Sequence, residues 1–189
     1  MIKIIGGKYK KSNLVVPKKN VRPTSSVKRE AIFSVIESYA LKNSINLYKK
    51  KAVLDIFAGS GSLGLEAISR GIAEAIFYEN NPDVVKTLIS NCTKICKNEK
   101  YQVIEKDVML GDFEKNSLSV SIIFIDPPYN KYDISKLINK LIIKKIIEDN
   151  TIMIFETSIN HEVKFDKKLI IFNKKSFGKT SIYFLKLST

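Results

Sequence analysis

The stretch DIFAGSGSLG, residues 55–64, decides the fold, because it turns a predicted strand, KAVLDIF, into a predicted helix, SLGLEAISRG. Glycines in such a turn permit positive φ and allow a ligand to approach the backbone closely. A Gly-rich strand–helix turn is typical of open α/β sheets, whose ligands bind outside the carboxyl ends of the strands. The stretch therefore predicts both a fold class and the edge of the sheet that binds a ligand.

Strands and helices alternate on both sides of this turn, from residue 51 onward. Helices are predicted over about 81–97 and 133–147, and the alternation predicts a mostly parallel sheet with helices on both faces. Two last strands are separated only by a turn at Phe177-Gly178 and predict a closing antiparallel hairpin. The predicted strands are KAVLDIF, AEAIFYE, YQVIEKD, SVSIIFID, TIMIFET, KKLIIFNKK and TSIYFLKL.

The N-terminal part of the chain has a different pattern. KIIGGKYKKSNLVVP predicts a basic β-hairpin, and the segment 22–24 (RPT) should be extended because proline disfavours helix just before it. Ser25 or Ser26 can cap a following helix. An apolar stripe at helical spacing then follows: Ala31, Ile32, Val35, Ile36 and Tyr39. We therefore divide the chain into a basic N-terminal hairpin with its linker, residues 1–24, and a main domain, residues 25–189.

Composition and charge narrow the class of protein. The chain has 189 residues with 44% hydrophobic content, and it shows no membrane-spanning or signal-peptide pattern, so we expect a cytoplasmic protein with one main core. The net charge is +13, of which +11 falls in residues 1–51, where 13 Lys and Arg face 2 Asp and Glu. Such asymmetry indicates a polyanionic partner. Cys92 and Cys96 are expected to be reduced, buried thiols and His161 a loop residue, so no metal site is predicted.

Acids follow the strands that surround the glycine turn. Gly59, Gly61 and Gly64 satisfy G-x-G-x-x-G, and Glu79 ends the next strand about twenty residues later, where it could accept hydrogen bonds from a ribose. Asp107 ends the third strand and could accept from an adenine amino group. NAD and S-adenosylmethionine both contain an adenosine, so these features predict a nucleoside cofactor without choosing between the two.

The fourth strand ends in FIDPPYN, residues 124–130. Proline has a fixed φ and no N–H, so Asp126-Pro127-Pro128 places a carboxylate and a carbonyl at set positions. Two acceptors match the two hydrogens of an exocyclic amino group, and Tyr129 offers a flat face on which a base can stack. A base inside a duplex cannot reach such a site, so the target must be flipped out or unpaired. The motif predicts chemistry on an amino nitrogen of a nucleobase.

These segments in this order resemble class I methyltransferases that use S-adenosylmethionine to modify exocyclic amino groups. IIGGKYKKSNLVVP, RPTSSVKREAIFSVI, DIFAGSGSLGLEAISRG and FIDPPY are similar, more specifically, to the RsmD family of 16S ribosomal RNA guanine-N2 methyltransferases. The resemblance covers essentially the whole chain. It implies a Rossmann-like seven-stranded sheet whose last strand is antiparallel, and S-adenosylmethionine as the cofactor.

The resemblance also implies roles for individual residues. The target amino group would be held by Asp126, Pro127, Pro128 and Tyr129. The expected cofactor-binding residues are Asp55, Phe57, Gly59, Gly61, Glu79, Asp107 and Thr24. The expected RNA-binding residues are Arg22, Lys28, Arg29, Lys8, Lys10 and Lys11. Lysines stand in the hairpin where arginines are usual, and lysine supplies charge without a bidentate fork.

Three other functions compete with this interpretation. An adenine-N6 methyltransferase uses a closely similar acid-Pro-Pro-aromatic turn, so only the whole-chain resemblance favours guanine. An NAD-dependent oxidoreductase would explain the glycines and Glu79 but gives FIDPPYN no role, and a non-catalytic RNA-binding module would leave the glycine loop without one. We expect a monomer that acts on 16S ribosomal RNA, within a small-subunit assembly.

Overall fold

The computed structural model describes residues 2–17, 24–111, 113, 118–128, 132–161 and 163–188. Nine strands and four helices lie within these ranges. In chain order they are β1 (Ile2–Lys3), β2 (Asn13–Leu14), α1 (Ser26–Lys42), β3 (Ala52–Ile56), α2 (Ser62–Arg70), β4 (Glu74–Glu79), α3 (Pro82–Ile95), β5 (Lys100–Glu105), β6 (Val120–Ile125), α4 (Ile134–Ile143), β7 (Ile152–Ser158), β8 (Leu169–Phe177) and β9 (Thr180–Leu187).

A seven-stranded sheet forms the centre of the molecule, in the order β5-β4-β3-β6-β7-β9-β8. Strands β3 to β7 are parallel to one another, and β9 is antiparallel to both of its neighbours, β7 and β8. The predicted mostly parallel sheet with a closing antiparallel hairpin is therefore confirmed. The order reverses at β3 and β6, and this switch point is where ligands bind in open α/β sheets.

The sheet separates two apolar cores. Alternate residues of the central strands face α1, α2 and α3 on one side, as Val53 and Phe124 do, and face α4 on the other, as Leu54 and Ile123 do. Helix α4 ends at Ile143, four residues earlier than predicted. Lys145 there adopts a φ of +53°, and the N–H of Ile146 bonds back to the carbonyl of Leu141 (3.0 Å), which closes the helix.

The N-terminal hairpin, β1 with β2, packs against α2 and contributes Ile4 and Leu14 to the first core. The fully buried carboxylate of Glu66 on α2 accepts the N–H groups of Ile5 (2.9 Å) and Gly6 (2.7 Å). Gly7 has a φ of +73°, and a Cβ there would lie 1.8 Å from a backbone oxygen of α2, so no other residue fits. The division of the chain at residue 24 stays a prediction.

Helix α1 begins as predicted, because the Ser25 side chain accepts the N–H of Lys28 at 3.2 Å. Ile32 and Ile36 of the predicted stripe are buried, joined by Phe33 and Ala40, whereas Ala31, Val35 and Tyr39 are only partly buried. Cys92 and Cys96 are buried free thiols, and His161 lies in an exposed loop, as expected. None of the described helices is both long enough and apolar enough to cross a membrane.

Candidate active site

Four strand-end acids share one edge and one face of the sheet. Glu79, Asp55 and Asp126 come at the carboxyl ends of β4, β3 and β6, and Glu156 comes near the end of β7. In each case the residue two positions earlier faces the core under α1, α2 and α3. Side chains alternate along a strand, so all four acids point toward these helices. The edge therefore concentrates negative charge beside the switch point of the sheet.

The glycine loop joins β3 to α2 at the centre of this edge. Gly61 caps α2 with a φ of +78°, and a Cβ there would lie 2.4 Å from Leu88. Gly64 packs against the sheet so closely that a Cβ would come within 2.3 Å of the Phe77 ring. The N–H of Gly64 donates to the Asp55 carboxylate at 2.9 Å. The loop is thus built around Asp55, which is itself buried.

Glu79 holds the other side of this loop. Its carboxylate accepts the N–H of Gly59 at 3.0 Å, and those of Asn80 and Asn81 at 3.0 and 2.9 Å. An ionised carboxylate offers about four lone-pair sites, so a further donor such as a ribose hydroxyl can still be accommodated. The side chain is only partly buried and lines an open cleft, so it is accessible to a ligand.

An open cleft lies between the ends of β3, β4 and β5. Asp107 lines it and accepts the N–H of Met109 at 2.9 Å and the hydroxyl of Tyr132 at 3.4 Å. The ring of Tyr132 packs against Phe57, with centroids 4.9 Å apart. Phe57 has a φ of +65°, a strained value for a non-glycine residue, so local structure holds its ring at the cleft. Aromatic walls with an acceptor at each end fit an adenosine.

Asp126 follows β6 directly, and the described part of its turn contains a buried Pro127 and an exposed Pro128. Tyr129 lies outside the described residues, so its stacking role stays a prediction. Burial, together with the negative charge of Glu156, raises the pKa of Asp126 to about 7, and the ammonium of Lys28 opposes this rise. A carboxylate in this range can accept a proton near neutral pH.

Asp55 is even more enclosed, with 3% of its surface exposed. Burial raises its pKa to about 8; the bond from Gly64 lowers it, and the charges of Asp126 and Glu79 raise it. A cationic group bound at this edge would restore the ionised form of Asp55. The site therefore favours a positively charged ligand, which agrees with a sulfonium or an ammonium group.

Two of the predicted RNA-binding residues, Arg29 and Lys28, have side chains that are largely shielded from solvent. The prediction for Arg29 is wrong, because the side chain is fully buried and donates to the carbonyls of Thr24 (2.8 Å) and Lys3 (2.5 Å). It holds Thr24, also buried, against the hairpin. Lys28 is mostly buried and forms an ion pair with Glu156. Arg22 lies outside the described residues, and the roles predicted for Thr24, Lys28 and Arg22 stay predictions.

The hairpin lysines do not lie beside Asp126. The N–H of Lys8 donates to the carbonyl of Ser69 at the carboxyl end of α2, whereas the site adjoins the amino end of that helix. Nine residues of helix span about 13 Å. Lys8 also pairs with Glu99, while Lys10 and Lys11 are exposed. These three residues are separated from the target site, and their contact with RNA stays a prediction.

Sequence reasoning missed two residues of the site. Glu156 follows the apolar run TIMIF, so the rule that identified Asp55, Glu79 and Asp126 as strand-end acids would also have found it. Tyr132 carries no comparable signal, because its contacts with Asp107 and Phe57 depend on how the segment after β6 folds back. No cluster of three or more metal-binding side chains occurs among the described residues.

Solved structures share this architecture. The protein yhhF of Escherichia coli, described as a candidate methyltransferase, superposes with a TM-score of 0.81 at 26% identity, covering 98% of this chain and 97% of that one. An RNA methyltransferase of Salinibacter ruber in complex with S-adenosylhomocysteine gives a TM-score of 0.61 at 14% identity, covering 86% and 92%. At 14% identity, the likeness to the Salinibacter ruber protein shows a shared fold alone.

Asp107→Asn should weaken S-adenosylhomocysteine binding about tenfold, because it retains an oxygen for Met109 but loses an acceptor for the adenine amino group. Asp149→Asn, the same change at an exposed position in the turn before β7, at the opposite edge of the sheet, is the matched control and should have no effect. Isothermal titration calorimetry of both variants tests this; equal affinities would remove Asp107 from the cofactor site.

Sequence comparison extends the likeness to the whole chain. A ribosomal RNA small subunit methyltransferase D of Buchnera aphidicola (strain APS) is 32% identical, over 90% of this chain and 84% of its own length. The protein of the same name from Escherichia coli K12 is 30% identical, over 85% and 76%. The family model described as "Conserved hypothetical protein 95" matches residues 2–186. The chain belongs to this family, the RsmD family of S-adenosylmethionine-dependent methyltransferases.

Proposed function

We propose that the protein transfers a methyl group from S-adenosylmethionine to the exocyclic N2 amino group of one guanine in 16S ribosomal RNA. The observation that carries the proposal is the position of Asp126 and Pro127 at the end of β6, the strand next to the glycine loop on β3. Methyl transfer requires a donor and an acceptor held side by side, and neighbouring parallel strand ends supply that arrangement.

The residues around the cleft fit the cofactor. S-adenosylmethionine supplies a methyl group on a positively charged sulfur. Asp107 and Glu79 present acceptors for the adenine and the ribose, Phe57 offers an apolar wall, and the glycine loop allows close approach of the backbone. Asp55 lies beneath the loop, where its carboxylate favours the charged methionine part.

The acceptor side depends on two fixed oxygens. An exocyclic amino nitrogen is a poor nucleophile because its lone pair is delocalised into the ring. The Asp126 carboxylate and the Pro127 carbonyl would each accept one N–H bond, which orients the lone pair toward the methyl group. Asp126 would also stabilise the positive charge that develops on nitrogen and then take the proton.

The choice of substrate rests on the family. The acid-Pro-Pro turn suits guanine and adenine equally, and relatives named ribosomal RNA small subunit methyltransferase D support ribosomal RNA as the substrate. Guanine itself comes from the family resemblance. Membership of a methyltransferase family disfavours both the NAD-dependent oxidoreductase and the non-catalytic RNA-binding module. A small-subunit assembly as partner, a monomeric state and a cytoplasmic location belong to the same proposal.

Purified protein, labelled S-adenosylmethionine and RNA substrates test the proposal directly. Naked 16S RNA, assembled small subunits and intact ribosomes should be compared, and mass spectrometry of the digested RNA should detect N2-methylguanosine in at least one of them. N6-methyladenosine as the sole product would show that the target base is adenine and not guanine. Absence of transfer to all three, with cofactor bound, would contradict the proposed function.

Within the same assay, Asp126→Ala should lower the rate of methyl transfer by at least about 100-fold, since a positioned acceptor of protons is worth that much. S-adenosylhomocysteine should still bind, because Asp107, Glu79 and the glycine loop are unchanged. Asp149→Ala removes an exposed aspartate from the turn that precedes β7, at the opposite edge of the sheet, and serves as the matched control. Equal rates for the two variants would exclude the role of Asp126.

Lys10 and Lys11 should contribute to RNA affinity but not to the chemical step, because they lie away from Asp126. Replacing both by glutamine should reduce the slope of log affinity against log salt by roughly 1.5 to 2, with kcat unchanged. The control pair Lys167→Gln and Lys168→Gln lies before β8 and is equally exposed. An identical slope in the two double variants would show that the hairpin lysines do not contact phosphate.

A further inference from the structure

Glu156 is the neighbour of Asp126 across the sheet. Ile125 of β6 pairs with Phe155 of β7, so the next residues, Asp126 and Glu156, stand side by side where the strands end. Partners in a parallel pair point to the same face, and neighbouring strands lie about 4.8 Å apart. The Glu156 side chain is 8% exposed and Asp126 is partly buried, so water screens the two carboxylates from each other only incompletely.

Lys28 completes the group from the first turn of α1. Its ammonium forms an ion pair with Glu156, and 17% of its side chain is exposed. A cation is unfavourable at the amino end of a helix, where the helix dipole already places positive charge, and the first turn of α1 contains no acid. Neither the dipole nor solvent accounts for a lysine here; its acidic partner at the strand ends does.

We propose, resting on the methyl transfer proposed above, that Glu156 and Lys28 are positioning residues that act through Asp126 and control when its carboxylate holds a proton. Glu156 increases the affinity of Asp126 for a proton, and Lys28 limits the increase. The ion pair thus fixes the electrostatic environment of Asp126, the residue that contacts the substrate.

The reaction explains why the pKa of Asp126 matters. A C–N bond forms to the amino nitrogen as the S–C bond breaks, and the electron pair of that bond stays on sulfur. The nitrogen then carries one proton too many, which Asp126 accepts and later releases to water. Asp126 must therefore be ionised before transfer and able to hold a proton after it, and a general base does this best when its pKa lies near the working pH.

Charged groups face Asp126 from three elements among the described residues. Glu156 comes from β7, Lys28 from α1 and Asp55 from β3, and the first two act on Asp126 with opposite signs. Asp55 is unchanged in every variant of Glu156 and Lys28, so its effect on Asp126 is the same in all of them. Removing Glu156 leaves Lys28 unopposed, and removing Lys28 leaves Glu156 unopposed, so the two substitutions should have opposite effects on Asp126.

The test uses the free protein, with ¹³C-labelled aspartate, and follows the Asp126 carboxyl by NMR as pH is changed. Glu156→Gln should move the midpoint of the Asp126 titration down by roughly one pH unit, and Lys28→Gln should move it up by a similar amount. The double variant Lys28→Gln/Glu156→Gln removes both opposing charges, and its midpoint should fall between those of the single variants.

The pH dependence of kcat should show the same pattern, with the acidic limb displaced downward in Glu156→Gln and upward in Lys28→Gln. A merely structural role would lower kcat at every pH and leave the limb in place. Midpoints that do not move, or that move in the same direction, would overturn the inference even if the wild-type protein methylates RNA. Absence of methylation by the wild type would instead overturn the proposed function. The NMR titration would still test how Glu156 and Lys28 act on Asp126.

Discussion

Parallel strands bring their carboxyl ends to a single edge of the sheet, and the alternation of side chains then selects one face of that edge. In this protein Glu79, Asp55, Asp126 and Glu156 lie at or near the carboxyl ends of β4, β3, β6 and β7 with the same parity, so all four point toward α1, α2 and α3. The glycine loop, the cleft and the Asp126 turn all adjoin this row of acids. The cofactor side and the target side of the site are therefore two halves of one electrostatic arrangement.

Burying such a row of acids opposes folding, and the structure shows which interactions reduce this unfavourable free energy. Backbone N–H groups satisfy Asp55 and Glu79, and Lys28 pairs with Glu156. Burial nevertheless raises the pKa of Asp55 to about 8 and that of Asp126 to about 7. Between about pH 4 and 8 the folded state holds more protons than the unfolded chain, so the contribution of these acids to stability falls as pH rises. A bound cation would offset this loss, which links stability to ligand binding.

Much of this arrangement could be predicted from short-range sequence patterns. The alternation of strands and helices, the Ser25 cap, the glycine loop and the strand-end acids depend on residues close together in the chain, and the structure confirms these elements. Contacts between distant segments could not be predicted. Arg29 looks like a surface cation in the sequence, yet it is buried because carbonyls of Thr24 and Lys3 converge on it. Likewise, only the packing of the hairpin on α2 shows that Lys8 lies far from Asp126.

The central claim is that one edge of the sheet places the methyl donor beside Asp126. A crystal structure with S-adenosylhomocysteine bound tests it most directly. We expect the adenine against Asp107, the ribose at Glu79, and the sulfur on the side of the glycine loop that faces Asp126 and Pro127. A ligand bound at another edge of the sheet, or with its sulfur directed away from Asp126, would contradict the claim.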